Sequence, residues 1–286
     1  MTTLTATIEG IGFWARGLPS WDAARAFARG GALVADAPAR PSPQLLAPNE
    51  RRRAPETVAV ALEVALAACT AAGRDPATLP SVFASTHGDL GITDYMCSTL
   101  ASAPRTISPT RFHNSVHNAA AGYWTIGTGA MQPANAISAL SATFAQGLLD
   151  ALAQLATGSD AVLLVGYDGA SAGPLAHVSR SEGLLGAALV LSRSTRRDLP
   201  RLQAALADGQ PSAAVGPLAR HAGGNAMAPM LPLLDALAAR PVRVEPATVA
   251  YDGLAYEELA LGAGPGRVLR VVLTPALQPA LEPAHA

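Results

Sequence analysis

The segment Asn118–Asp150, NAAAGYWTIGTGAMQPANAISALSATFAQGLLD, holds the residue with the clearest chemical prospect. A short strand, Ala136-Ile137-Ser138, runs into small residues at Ala139–Ser141 and directly into a helix, a geometry that exposes one side chain above a helix N-terminus. Orphan backbone N–H groups and the helix dipole stabilise a thiolate or an oxyanion there. Ser141 stands at that position. Serine is also a good N-cap, and as a nucleophile it needs an adjacent base. His113 and His117, four apart, would share one helix face as metal ligands. No glutamate lies between them and no third ligand follows, so hydrogen-bonded interface histidines are the simpler reading and no metal is expected. His87 beside Asp89 can be read as a dyad or as loop and cap residues. Cys69 and Cys97 read as packed thiols. Gly127 and Gly129 lie outside any strand-to-helix context for a dinucleotide and suit turn or close-packing roles, so no cofactor is expected.

Composition narrows the chemistry further. The 286 residues are 50% hydrophobic and 14% charged, which excludes a disordered chain and supplies a large core. All twenty basic residues are arginine; with no lysine, Schiff-base chemistry, pyridoxal anchoring and a P-loop are excluded. A net charge of −1 carries no footprint for nucleic acid or anionic lipid. The first twenty residues lack a secretory pattern and two cysteines are too few for a disulfide framework, so a cytoplasmic location is expected. From Phe112 to Leu149 there is no Asp, Glu, Lys or Arg. Polar Asn114, Asn118, Gln132, Asn135 and Gln146 interrupt that window, so it is no membrane span. A segment buried on all sides, partly by another chain, is expected.

The elements that must position these residues alternate. A strand is expected over Thr5–Phe13. An alanine-rich amphipathic helix over Ala54–Ala72 has Glu56 and Glu63 outward and ends at Gly73. Ser81–Ser85, Ala134–Ala139, Ala161–Val165 and Leu184–Leu191 read as apolar strands, with helices from Asp89 to about Ala101 and from Ala142 to Ala156. Wholly apolar strands joined by helices indicate a parallel-type sheet covered on both faces. Arg193–Pro217 reads as a connection with one short helix, Asn225–Ala239 as a helix, Val268–Leu273 as a closing strand, and Pro275–Ala286 as a loose tail.

The segment around Ser141 resembles the active-site region of β-ketoacyl synthases, condensing enzymes of thiolase fold, whose pattern runs N-x-x-A-G, then G-P, then a strand ending S-T-A-C and a helix. Asn118, Ala121 and Gly122 match the first element, Gln132-Pro133 the second, and Ile137-Ser138-Ala139-Leu140-Ser141 the third, without gaps. Ser141 therefore stands where the family has its cysteine. Gly158-Ser159-Asp160-Ala161 with Val162–Gly166, and Glu182-Gly183 with Gly186–Leu191, resemble later family strands. The family's H-G-T-G-T loop is absent, and its K-S-x-x-G-H loop is reduced to a trace at Ala219–Ala226, where His221 matches weakly the second histidine.

The resemblance implies an α/β thiolase-like fold with a complete first half, residues 1–192, and an abridged second half with a loose tail, residues 193–286. Condensation needs a thiolate and two imidazoles to hold a developing enolate. One of the three parts at most is present, which implies a non-catalytic subunit of a β-ketoacyl-acyl carrier protein synthase complex. Length and the stretch Phe112–Asn118, FHNSVHN, are similar to the chain length factors of aryl-polyene-type clusters. Such a subunit would pair with a full-length ketosynthase, meet acyl carrier protein through that complex and shape an acyl tunnel. Tyr95, Met96, Phe112 and Phe144 are the candidate tunnel residues, with His113, His117 and Asn118 at the interface. A serine acyltransferase using Ser141 and His221, or a purely structural subunit, are the alternatives.

Overall fold

The computed structural model describes residues 2–239, 243–244 and 257–278. The first strand, β1 (Leu4–Ala15), carries Gly10 and Gly12, and these set its relation to the rest. A Cβ on Gly12 would lie 2.0 Å from the Val64 carbonyl oxygen, and one on Gly10 would lie 2.2 Å from that of Ala68. Helix α3 (Glu56–Ala72) thus rests its backbone on the strand, which only glycine permits. The helix is buried on most sides rather than amphipathic as expected: Thr57–Leu62 are all buried, and Glu63 is half-buried, its carboxyl pushed up by burial. Gly73 ends it in the left-handed conformation at φ 64°.

After the short helices α1 (Trp21–Ala28) and α2 (Pro48–Arg53), β2 (Ser81–Ala84) leads to α4 (Leu90–Ser102), α5 (Pro109–His113) and α6 (Ala119–Thr128). The strand–turn–helix unit follows as β3 (Ala134–Ile137) and α7 (Thr143–Ala156). Next come β4 (Ala161–Asp168), β5 (Leu185–Ser192), β6 (Arg201–Asp208), α8 (Pro217–Ala222), α9 (Leu231–Ala239), β7 (Arg243–Val244), β8 (Glu257–Gly264), β9 (Arg267–Thr274) and β10 (Leu277–Gln278). Eight strands form one sheet in the order β3-β2-β4-β5-β1-β6-β9-β8, parallel among β2, β3 and β4 and antiparallel elsewhere; β7 and β10 pair in parallel.

The sheet changes partners along β1. Residues 7–15 pair with β5 and residues 4–7 with β6, and the register shifts between Ile8 and Gly10. That irregularity strengthens the twist and turns the last three strands over the first five. Helices α3 and α6 cover the outer face through Val58, Leu62 and Trp124. Helices α1, α7, α8 and α9 fill the space between, where Leu148 and Leu152 share a core with Leu259, Leu261, Leu269 and Val271. Each fully buried leucine contributes about 1.5–3 kcal/mol.

The second half departs from expectation. The expected connection at 193–217 contains β6, and its Leu202 and Ala204 face the core. The expected helix over 225–239 is shorter, α9 alone, and is preceded by α8. Strand β8 was not expected. Of the tail, residues 275–278 are placed and include β10, while 279–286 lie outside the described residues. The boundary expected at 192/193 falls between β5 and β6, and one sheet and one core continue across it. Among the described residues, no helix is long and apolar enough to cross a membrane.

Candidate functional site at the carboxyl ends of the parallel strands

Three connections meet where β2, β3 and β4 end, the side of an α/β sheet on which ligands bind. The first, Ser85–Asp89, wraps around one buried carboxylate. Asp168, the last residue of β4, is 0% exposed. Its Oδ1 accepts from the Ser85 hydroxyl (2.7 Å) and the His87 N–H (3.3 Å), and its Oδ2 accepts from the Thr86 N–H (2.9 Å). Burial pushes the Asp168 carboxyl up, and these three donors oppose the shift. The Ser85 hydroxyl accepts in turn from the Gly88 N–H at 2.8 Å. Asn225, in the trace that precedes α9, places its amide 3.1–3.3 Å from the carbonyls of Asp168, Glu182 and Gly183. Neither Asp168 nor Asn225 was singled out from sequence. The available signal was an acid closing the otherwise apolar run Ala161–Tyr167, since a charge in such a place must be paired.

The second connection carries Ser141. Leu140, at φ +53°, is the one non-glycine residue with positive φ among the described residues. Such a conformation costs about 1–3 kcal/mol and persists only where neighbours hold it. Thr143 holds it here: its hydroxyl donates to the Leu140 carbonyl (2.6 Å) and accepts from the Ala139 N–H (2.9 Å). The expected N-cap role of Ser141 is corrected, because Ala142 is the cap of α7 and Ser141 lies in the preceding 3₁₀ turn, Leu140–Ala142, with an exposed side chain. The Ser138 hydroxyl donates to the Thr86 carbonyl at 3.0 Å and fastens this turn to the first loop.

Among the described residues of the abridged half, the one histidine is engaged elsewhere. His221 sits on α8, its ring 5.3 Å from that of Phe27, with Nε2 donating to the Arg16 carbonyl at 2.8 Å. A nitrogen that donates to a carbonyl is not available as an acceptor. Arg16 follows β1. His221 Nε2 is thus engaged by the Arg16 carbonyl, and the contacts of its ring are with Arg16 and Phe27 rather than Ser141.

The other expected residues divide into three sets. His117 Nε2 donates to the Ser85 carbonyl at 2.7 Å, while His113 is exposed with its ring against Tyr123, so the two do not converge. Phe112, His113 and Asn118 line a groove of about 650 Å³ with Leu45, Val116 and Tyr123. Tyr95 lies beneath the Arg111 guanidinium, 4.0 Å from its ring centroid, and its hydroxyl accepts from the Ser108 N–H; Met96 is half-buried beside it on α4. Phe144 does not join them. It is core, 2% exposed, against Gly166, Met227 and Met230. Asp89 caps α4 through the Ile92 N–H and accepts from the Thr57 hydroxyl, leaving His87 to meet Ser179 instead. Cys69 is buried, its thiol pushed up to about 12 by burial, whereas Cys97 is exposed rather than packed.

The uncharged window is buried only in part, at Trp124, Phe144 and Leu148 among others. Phe112 is 62% exposed, Ile126 82%, Met131 94% and Leu140 73%, and Ala134–Ala136 of β3 are exposed. Asn135 and Ile137 share the β2 ladder, as the Ser85 N–H to Ile137 carbonyl bond shows, so the N–H and C=O of Ala134 and Ala136 point to a free edge.

The family model for β-ketoacyl synthase N-terminal domains matches residues 21–244. No curated protein matches the chain. Among solved structures, a chain of the ketosynthase ApeO in complex with its chain length factor ApeC from Xenorhabdus doucetiae is 21% identical, with a TM-score of 0.69, covering 94% of this chain and 99% of that one. A chain of the ishigamide ketosynthase/chain length factor is 16% identical at a TM-score of 0.68, covering 94% and 99%. A chain of the AntDE:AntF assembly, a type II polyketide ketosynthase with its acyl-carrier protein, is 10% identical at a TM-score of 0.70, covering 96% and 100%. These likenesses establish the fold as the mixed α/β, thiolase-like fold of ketosynthases. With the sheet order, the strand–turn–helix unit at Ser141 and a family match over more than half its length, the chain belongs to the β-ketoacyl synthase family through its N-terminal domain.

Proposed function

We propose that this chain is a non-catalytic chain-length-factor subunit that pairs through β3 with an active ketosynthase in polyene or related polyketide assembly. The observation that carries the reading is the free edge of β3 in a chain segment without charged residues, which exposes the apolar side chains of Phe112, Val116, Ile126, Met131 and Leu140. A bare strand edge ringed by apolar side chains favours addition of a partner strand. The chemistry at Ser141 supports the absence of condensation. A hydroxyl is weakly nucleophilic without a base, and His221 donates to Arg16 instead. Acyl carrier protein would deliver its cargo to the partner's cysteine, and the whole complex would work in the cytoplasm. The growing chain would run along the shared surface, with Phe112 at its floor and Tyr95 and Met96 on the neighbouring helix.

The test uses the complex of this chain with a ketosynthase. Ser141→Ala should leave turnover within about twofold, since no transition-state interaction is removed. A loss of about 100-fold or more with the complex intact would replace this reading with a serine acyltransferase. Phe112→Ala should lengthen the carrier-bound products seen by mass spectrometry while the complex persists. An unchanged length distribution would reduce the chain to a stabilising subunit.

A further inference from the structure

A second serine, outside the turn at Ser141, lies against a histidine. Ser179 belongs to the loop after β4, and its Oγ is hydrogen-bonded to His87 Nε2. Both partners are held by their main chains. The Ser179 N–H donates to the Leu175 carbonyl at 2.8 Å, and the His87 N–H donates to buried Asp168. The other ring nitrogen, Nδ1 of His87, is buried and has no partner among the described residues. With the proton on Nδ1, Nε2 is the acceptor that a serine nucleophile requires. The loop also exposes Leu175 and Val178, the latter 81% exposed, next to the serine in sequence.

We propose that Ser179 and His87 form an acyl-transfer dyad that hydrolyses thioesters or esters of apolar acyl groups, which Leu175 and Val178 receive. Ser179 Oγ attacks the carbonyl carbon as its proton passes to Nε2. The tetrahedral intermediate collapses with cleavage of the carbon–sulfur bond, and the leaving thiolate takes that proton. Water then attacks the seryl ester, giving its proton to Nε2. Collapse releases the carboxylic acid, and the proton returns to Ser179. No carboxylate holds Nδ1, so the imidazolium is weakly stabilised and turnover is slow; covalent labelling is therefore the readout. The dyad acts without a ketosynthase, so its failure leaves the reading above standing.

The full chain is treated with an alkyl fluorophosphonate, and adducts are located by intact-mass and peptide mass spectrometry. One adduct on Ser179 is expected, absent in Ser179→Ala and formed about 100-fold more slowly in His87→Asn, with thermal melts confirming that both variants fold. Hydrolysis of p-nitrophenyl octanoate should exceed that of the acetate and fall in both variants. No adduct, an adduct on another residue such as Ser141, or an unchanged rate in His87→Asn would overturn the proposal.

Discussion

The two outer strands of the sheet, β3 and β8, are finished in opposite ways. Strand β3 has four residues, Ala134–Ile137, none charged, and stands among exposed Met131, Leu140 and Ile126. Strand β8 opens with Glu257 and Glu258, and its neighbour β9 carries Arg267 and Arg270 on the outer face. Arg270 pairs with Glu258 at 3.7 Å and Arg267 with Asp208 at 3.3 Å, all with exposed side chains. Charges on an outer strand discourage pairing with another chain. Exposed pairs of this kind add only about 0–1 kcal/mol of stability, so their effect is on solubility and selectivity. The chain therefore guards one end of its sheet against association and leaves the other open to it. The strands of the abridged half, β6, β8 and β9, bury one face against α7 and α9 and wet the other. The strands around β4 are buried on both faces.

This contrast can be broken at β3 with one substitution. The Ala136 N–H lies on the free edge, so Ala136→Pro should leave the β2 ladder intact while removing a donor from the pairing edge. Affinity for a ketosynthase should fall by about 100-fold or more, roughly 3 kcal/mol, with the melt of the chain shifted by less than about 1 kcal/mol. Binding by calorimetry or interferometry, together with thermal melts, reads both numbers. Equal affinity would mean that β3 is not the pairing edge.

A smaller effect is expected where the two regions join. Glu9, at the register shift of β1, accepts two bonds from the Arg74 guanidinium (2.7 and 2.9 Å) and one from the Ser192 hydroxyl (2.8 Å). The Arg74 bonds hold its carboxyl below the ordinary range despite burial. A lowered folded-state pKa contributes stability that is present above the unfolded value of about 4.3 and is lost as pH falls through the folded value. Glu9→Gln should therefore cost about 1–2 kcal/mol at pH 7, discounted because Arg74 is partly exposed, and less as pH falls below about 4. A gap between the two melting curves that stays constant down to acid pH would contradict this assignment.

Much of the first region is legible in the sequence because its signals are local. The apolar runs at 81–84, 134–137, 161–168 and 185–192 sit between turns and caps, and Asp89 and Gly73 mark helix ends by their types alone. Strands β6 and β8 are not legible: RLQAALAD and EELALGAG are rich in alanine and leucine, whose intrinsic preference is helical. Pairing with β1 and β9 overrides that preference. Ser141 is legible from strand–turn–helix spacing, whereas the strained φ at Leu140 and the Thr143 clamp depend on the fold. Asp168 with Ser85 and His87 with Ser179 are contacts 83 and 92 residues apart, and no local pattern announces them.

Sedimentation velocity of the purified chain, alone and after co-expression with a ketosynthase, tests the central claim most directly. The claim requires that the exposed surface around β3 be covered by a ketosynthase. Alone, the chain should self-associate or precipitate, and together with the ketosynthase it should run as a single one-to-one complex. A soluble, monodisperse monomer that remains separate from the ketosynthase at micromolar concentrations would contradict it.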